Sequence, residues 1–455
     1  MESVARLEGA LWKRTMDLFH QPQEKWKSVD HLIYGLPDYY TYDQQEVQKL
    51  RTDAIRESFQ HHYRNNLFYK HYCKDQGISP EDIADEEDFA RIPMVPDRFF
   101  KDYPTDNPRD VYEWLYRVCS VDIGDYTFEG DHLQDFLRWA EERLHGIVTH
   151  SSGTTGHFSI MFRDRLTYQR MFFAAVKTLL FSIVHPDDDS HFVYPGPVRT
   201  YLTMGHWISE GTQVFDDSHR HFLTDRELTM DIVKLMAGQV SGIKDKFKLA
   251  LLRKVMQKGQ HNLIKLLQQL DEKGKQVIII TFPFQLYDLM QLMQEKGITL
   301  SMGDHNGVII TGGGWKIYED KKVSPQTFSG MVEEMLGVPP EHYKDIYGMS
   351  EMNGLGMDCE KRYKHLHPWL YPMVLDESNQ PLPYGSEGRL AFLDPASNSY
   401  PGFIITGDKV KLYERCPGCD APGLVLDSDI SRMAGAEAKG CGNLMRGLIA
   451  QELKG

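Results

Sequence analysis

The chain has 455 residues, 41% of them apolar and 25% charged, with a formal net charge of −14. That length suits two or three packed subdomains better than one small core, and the composition is that of an ordinary globular protein. No long basic run is present, which argues against a nucleic-acid partner. No stretch approaches the roughly 18 apolar residues of a membrane span. The opening segment, MESVARLEGALWKRTMDLFH, reads as an amphipathic helix without the apolar core of a signal peptide, so a cytoplasmic location is expected.

Residues 1–145 read as mostly helical, the N-terminal part of a large domain. Over Glu46–Tyr72, apolar and aromatic residues recur at mixed three- and four-residue spacing. Pro93 and Pro96 in RIPMVPDRFFKDYP mark an extended turn. The texture changes over 146–370, where short apolar runs alternate with helical patterns. GIVTH and HFVYP are short strands. VIIITFP at 277–283 and GVIITGGG at 307–314 are β-branched, with helical spacing over Phe284–Lys296 between them. Strand, helix, strand at this separation predicts a parallel βαβ unit. The apolar runs do not alternate, as expected of strands buried on both faces. Over 371–455 the strands shorten (GRLAFLD, GFIITGDKVKLY, GLVLDSD) and predict a small β subdomain with a short tail. The fold class is α/β.

Three motifs carry chemistry. His150 is followed by Ser151, Ser152, Gly153, Thr154, Thr155 and Gly156. Glycines let a backbone approach an anion, and hydroxyls and free N–H groups donate to phosphate oxygens. No Gly-Lys-Ser/Thr follows, so this is not a Walker A loop. The second motif is Tyr347-Gly348-Met349-Ser350-Glu351. It combines an aromatic face for a purine, a hydroxyl for phosphate and a carboxylate for Mg²⁺. The third, Thr406-Gly407-Asp408, closes the strand GFII and places a carboxylate at a strand end, where it could accept from ribose hydroxyls. Read alone, each also fits a plain loop or turn.

In this order, together with the glycine triplet Gly312, Gly313 and Gly314, the motifs resemble the adenylate-forming superfamily over roughly residues 90–445. The resemblance implies a large domain of flanked parallel sheets with a small β subdomain. It implies ATP and Mg²⁺ as cofactors and a carboxylic acid as substrate. Ser151–Gly156 would hold the phosphates, Gly312–Gly314 would line the adenine pocket and Tyr347 would stack on adenine. Ser350 would contact phosphate, Glu351 would ligate Mg²⁺, Asp408 would bind the ribose, and Arg432 would contact ribose or phosphate. His206, in MGHWISEG, is a catalytic candidate near the substrate carboxylate. Tyr194–Gly205 and Phe282–Leu286 are expected to contribute to the acid pocket.

Only 23 residues follow Arg432, so the C-terminal lid of the superfamily is expected to be largely absent, and neither Lys439 nor Lys454 sits in the context of its lysine. The tail Gly435-Ala436-Glu437-Ala438-Lys439-Gly440-Cys441 and the segment IPMVPDRFFKD are similar to those of the acyl-protein synthetases of bacterial bioluminescence, near phenylacetate-CoA-ligase-like proteins. That resemblance implies a fatty acid activated as its adenylate and loaded onto the enzyme's own cysteine. Cys441 matches by position, with Lys439 favouring its thiolate. The final acceptor would be a reductase or carrier protein. Two other readings stay open: an acyl- or aryl-CoA ligase, and a non-catalytic nucleotide- or acyl-binding scaffold.

Four of the six cysteines, Cys359, Cys416, Cys419 and Cys441, fall after residue 358; the others are Cys73 and Cys119. Cys416-Pro417-Gly418-Cys419 can present two thiolates to one Zn²⁺. Cys359 and either His365 or His367 would complete four ligands of a structural zinc.

Overall fold

The computed structural model describes residues 8–101, 108–151, 159–229, 231–232, 235, 242–315 and 321–433. Its strands, in chain order, are β1 (Val95–Pro96), β2 (Gly146–His150), β3 (Ile160–Asp164), β4 (His191–Thr200), β5 (Arg220–Leu228), β6 (Val277–Thr281), β7 (Val308–Gly312) and β8 (Tyr343–Tyr347). Then follow β9 (Gly356–Asp358), β10 (Lys364–Leu366), β11 (Tyr371–Leu375), β12 (Glu387–Leu393), β13 (Phe403–Arg415), β14 (Pro422–Leu426) and β15 (Ser431–Arg432).

The β-branched runs at 277–281 and 308–312 lie side by side and parallel, joined by the helix Pro283–Glu295, as the sequence predicts. Their lack of alternation has a direct cause. Ile278, Ile280, Val308 and Ile310 enter one apolar core, while Val277, Ile279 and Ile309 enter another on the opposite face. Each such buried side chain contributes roughly 2 kcal/mol relative to exposure. The second core is completed by the helices Ile243–Glu272, Pro283–Glu295 and Pro325–Leu336, through Leu267, Leu286 and Val332 among others. The first is completed by the helices Ala10–Phe19, Gln44–Asn65 and Arg165–Val176.

The parallel strands run in the order β5-β4-β6-β7-β8, and β8 then pairs antiparallel with β9. The strands after residue 371 do not form a detached sheet. The long strand β13 pairs with β12 along its first part and with β14 along its last, so one thirteen-stranded sheet runs through both regions. β1 joins it in parallel beside Ile404 and Ile405, which carries the proline-bounded segment at 93–101 against β13. The hairpin β2–β3 stands apart as a two-stranded sheet.

Candidate active site

The glycine triplet lies where β7 ends, between the ends of β6 and β8. Gly313 and Gly314 have φ of 77° and 67°, the left-handed region that glycine enters without penalty. A Cβ on Gly312 would come 2.6 Å from the Ile346 side chain, and one on Gly313 would come 2.7 Å from the Phe282 ring. At Gly312 and Gly313 the backbone therefore passes too close to the Ile346 side chain of β8 and the Phe282 ring after β6 to leave room for a Cβ. This is the crevice outside the carboxyl ends of parallel strands, where open α/β sheets bind ligands.

Residues 152–158 lie outside the described residues, and with them Ser152, Gly153, Thr154, Thr155 and Gly156; the neck of that loop is described. The Ser151 amide donates to the Ser159 carbonyl at 3.0 Å, and the Ser159 amide donates to Ser151 Oγ at 2.9 Å. The neck meets the second motif at two points. Ser350 Oγ donates to Thr203 Oγ1 at 3.1 Å, and Thr203 in turn donates to the His150 carbonyl at 3.0 Å. Glu351 is buried. Burial, then the charge of Asp97, push its carboxyl up to about 7; the Ser159 hydroxyl and Lys101 act in the opposite sense. The Ser159 hydroxyl makes no hydrogen bond of good geometry.

Tyr347 OH donates to Asp408 Oδ2 at 2.7 Å, and Arg432 Nε lies 3.1 Å from Asp408 Oδ1 and its NH1 3.8 Å from Asp97. Burial raises the Asp408 carboxyl against the pull of Arg432 and Tyr347. Thr406-Gly407-Asp408 does not close a strand, contrary to the sequence expectation. It lies within β13, where Ile405 faces Ala391 but Lys409 faces Arg389. The extra length forms a bulge, with Thr406 Oγ1 donating to the Leu390 carbonyl at 2.8 Å and accepting from the Asp408 amide at 3.0 Å. Bulges re-aim side chains, and this one brings Asp408 opposite Arg432 of β15.

Sequence reasoning missed the residues that hold the Ser350–Asn353 turn. Arg163 of β3, fully buried, donates to Asn353 Oδ1 at 2.7 Å and to the Ser350 carbonyl. Asp394 accepts from the Asn353 amide at 2.7 Å. Asp97 was also missed, although it lies within the segment already singled out for its prolines.

Beside Gly348 and Met352 opens an apolar cavity. Met171, Phe172, Leu180, Met204, Trp207 and Ile280 line it, and His367 lies at its wall. Of the segments expected to form the acid pocket, Tyr194–Gly205 contributes only Met204 and Phe282–Leu286 contributes none. His206 is not among the lining residues; its ring stacks on Tyr201 at 5.7 Å.

The thiols gather elsewhere. Cys359, His365, Cys416 and Cys419 each offer a ligand atom within 4.8 Å of the others. Cys359 Sγ is 3.9 Å from Cys416 Sγ, and Cys419 Sγ is 3.4 Å from His365 Nε2. His367 stands apart from this cluster. β10 ends at Leu366 and the chain turns, so His367 Nε2 meets Thr178 Oγ1 at 2.9 Å, and burial lowers the ring to about 3. Cys441 and Lys439 lie outside the described residues.

The chain resembles solved adenylate-forming enzymes. Superposed on an open conformation of 2-hydroxyisobutyryl-CoA ligase in complex with its acyl-AMP and CoA, it gives a TM-score of 0.54 at 15% identity, over 91% of this chain and 81% of that one. On the same enzyme in the thioesterification state the TM-score is 0.55 at 16% identity, over 91% and 74%. The fold is that of the adenylate-forming ligases. The model of the acyl-protein synthetase family LuxE matches residues 23–106 and 255–449, and the chain belongs to that family. Among its relatives, the long-chain-fatty-acid–luciferin-component ligase of Aliivibrio fischeri is 25% identical over 434 residues, 94% of this chain and 95% of the relative. That of Vibrio harveyi is 25% identical over 416 residues, 91% of each chain. Fold and family together define an acyl-adenylate-forming ligase. No described helix is long and apolar enough to cross a membrane.

Proposed function

We propose that the protein activates a fatty acid with ATP and passes the acyl group to a thiol, first that of its own Cys441. The carboxylate oxygen attacks the α-phosphorus, the bond to pyrophosphate breaks, and acyl-AMP forms. The thiol then attacks the acyl carbon, loses its proton to solvent and releases AMP. Little covalent help is needed from the protein; positioning and charge neutralisation carry such reactions. The observation that carries the reading is the meeting of the hydroxyl-loop neck with a buried carboxyl. Glu351 is raised by burial and by Asp97, and Asp408 lies near Asp97 as well. Three acids face two cations, Lys101 and Arg432, which leaves a place suited to a metal-bound nucleotide. Glu351 would hold Mg²⁺, which neutralises phosphate charge when bound. Tyr347, Asp408 and Arg432 would receive the nucleoside, and Gly312–Gly314 would let it approach the sheet edge. The apolar cavity beside Gly348 would take the acyl chain, where a largely apolar wall favours a fatty tail.

We also assign a structural zinc to Cys359, His365, Cys416 and Cys419. Metal–sulfur bonds near 2.3 Å in a tetrahedron set sulfur atoms about 3.8 Å apart, and the Cys359–Cys416 separation is 3.9 Å. The donor set fits.

Intact-mass measurement after incubation with ATP, Mg²⁺ and mixed fatty acids tests the main reading. The wild type is expected to gain one acyl group, Cys441→Ser none, and Glu351→Gln at least 100-fold less. Label retained by Cys441→Ser would defeat self-acylation. Free acyl-CoA formed on adding CoA, without protein label, would make the chain a CoA ligase instead.

A further inference from the structure

The helix Thr203–Gly211 turns Met204, Trp207 and Ile208 toward the apolar cavity. His206 and Glu210, spaced i and i+4, share another face. Glu141, from the helix Leu133–Arg143, completes a group whose ligand-capable atoms lie within 4.8 Å of one another. None of the three takes part in the chemistry proposed above.

The imidazole is held in one tautomer. His206 is buried, and its Nδ1 lies 3.0 Å from the Thr200 carbonyl. A carbonyl only accepts, so Nδ1 bears the proton and Nε2 of the neutral ring is a bare acceptor. That Nε2 is buried without a hydrogen-bond partner and lies 3.8 Å from Glu141 Oε1. Both carboxylates are themselves acceptors, and both are oriented. Glu141 Oε2 accepts from Tyr201 OH at 2.7 Å, and Glu210 Oε2 accepts from Tyr168 OH at 2.9 Å. Three acceptors thus converge on one point, and each tyrosine spends its proton on a carboxylate.

A lone pair facing two carboxylates in a partly buried place needs positive charge between them. A proton on Nε2 would supply it, but 3.8 Å is too long for the hydrogen bond that proton would make. The distance is closer to the roughly 3.4 Å spanned by two ligands at about 2.1 Å from a tetrahedral ion. A backbone carbonyl on the far ring nitrogen and hydroxyls on both carboxylates are also the outer partners that metal ligands keep. We infer that Glu141, His206 and Glu210 hold a divalent first-row transition-metal ion, with water at the exposed Glu141 side. One imidazole and two carboxylates suit Mn²⁺, Fe²⁺ or Zn²⁺, and the lack of a thiolate separates this site from the Cys/His cluster.

Mn²⁺ is the probe. The full chain, free of nucleotide and washed with a weak chelator that leaves the thiolate-held zinc in place, is titrated with Mn²⁺ and followed by electron paramagnetic resonance. One bound ion with ¹⁴N coupling from an imidazole is expected. His206→Ala should abolish the coupling and weaken binding at least tenfold. Glu210→Gln, which keeps the shape and an acceptor for Tyr168, should weaken it at least tenfold with an unchanged unfolding midpoint. Glu351→Gln and His191→Ala should bind as the wild type does, which keeps this site distinct from the nucleotide cleft and from the Asp189, His191, His219 group. No binding below millimolar Mn²⁺, or wild-type affinity in both His206→Ala and Glu210→Gln, overturns the inference. So does loss of the ion in Glu351→Gln or His191→Ala.

Discussion

The Cys/His cluster and the Glu351 cleft gather ionisable side chains in opposite ways. The cluster comes from two neighbouring hairpins. The turn between β9 and β10 carries Cys359, β10 carries His365, and the turn between β13 and β14 carries Cys416 and Cys419; β10 and β14 pair directly. The cleft draws Asp97, Glu351, Asp408 and Arg432 from four separate segments. Its acids outnumber its cations, and burial raises two of them. A mutually satisfied set of ligands stabilises a fold; an uncompensated set of like charges weakens it and awaits a bound partner.

The largest expected effect lies in the cluster. Structural zinc sites make on the order of 10 kcal/mol available to folding at neutral pH. Removing the metal should therefore cost more stability than any change in the cleft. Metal analysis should find one zinc per chain fewer in the double variant Cys416→Ser/Cys419→Ser than in the wild type. The unfolding midpoint should fall in that variant and on chelation alike. A metal-free wild type with an unchanged midpoint would reduce the four residues to an unmetallated pair of turns.

The cleft should behave in the reverse sense, because its carboxyl destabilises when charged. Glu351 rises from the ordinary 4.5 to about 7 in the folded chain. Between those values the folded state holds a proton that the unfolded state has released. Stability is then fully present below about pH 4.5 and falls as the pH rises to about 7, by about 3 kcal/mol in all. Denaturant midpoints across that window should show the fall in nucleotide-free wild type. Glu351→Gln, which keeps the shape without the charge, should flatten it and be the more stable protein at pH 8. An equal slope in both proteins would assign the pH dependence to other groups.

The same contrast governs what the sequence disclosed. Cys416 and Cys419 announce themselves by spacing, because both ligands sit in one turn. The choice between His365 and His367 was hidden, since it depends on β10 ending at Leu366. The parallel strands at 277–281 and 308–312 were legible because burial on both faces imposes continuous β-branched runs. The bulge at Thr406–Asp408 was not, because it exists only against Leu390 on another strand. Nor was the role of Asp97, whose charge acts on Glu351 only once β1 has docked beside β13. Local geometry writes itself into spacing; fields between distant segments do not.

The smallest expected effect tests whether the cleft's aromatic member serves the nucleotide or only the fold. Tyr347→Phe keeps the ring and removes the donor to Asp408. A buried carboxylate that loses one neutral donor costs about 1 kcal/mol, and Arg432, 71% exposed, compensates little through solvent. If Tyr347 and Asp408 form the nucleoside site, KM for ATP should rise several-fold while kcat stays near that of the wild type, because the lost interaction is shared by ground and transition states. A purely structural role would lower the unfolding midpoint to the same extent but leave KM for ATP where it was. The two parameters measured together therefore separate a binding hydroxyl from a packing one.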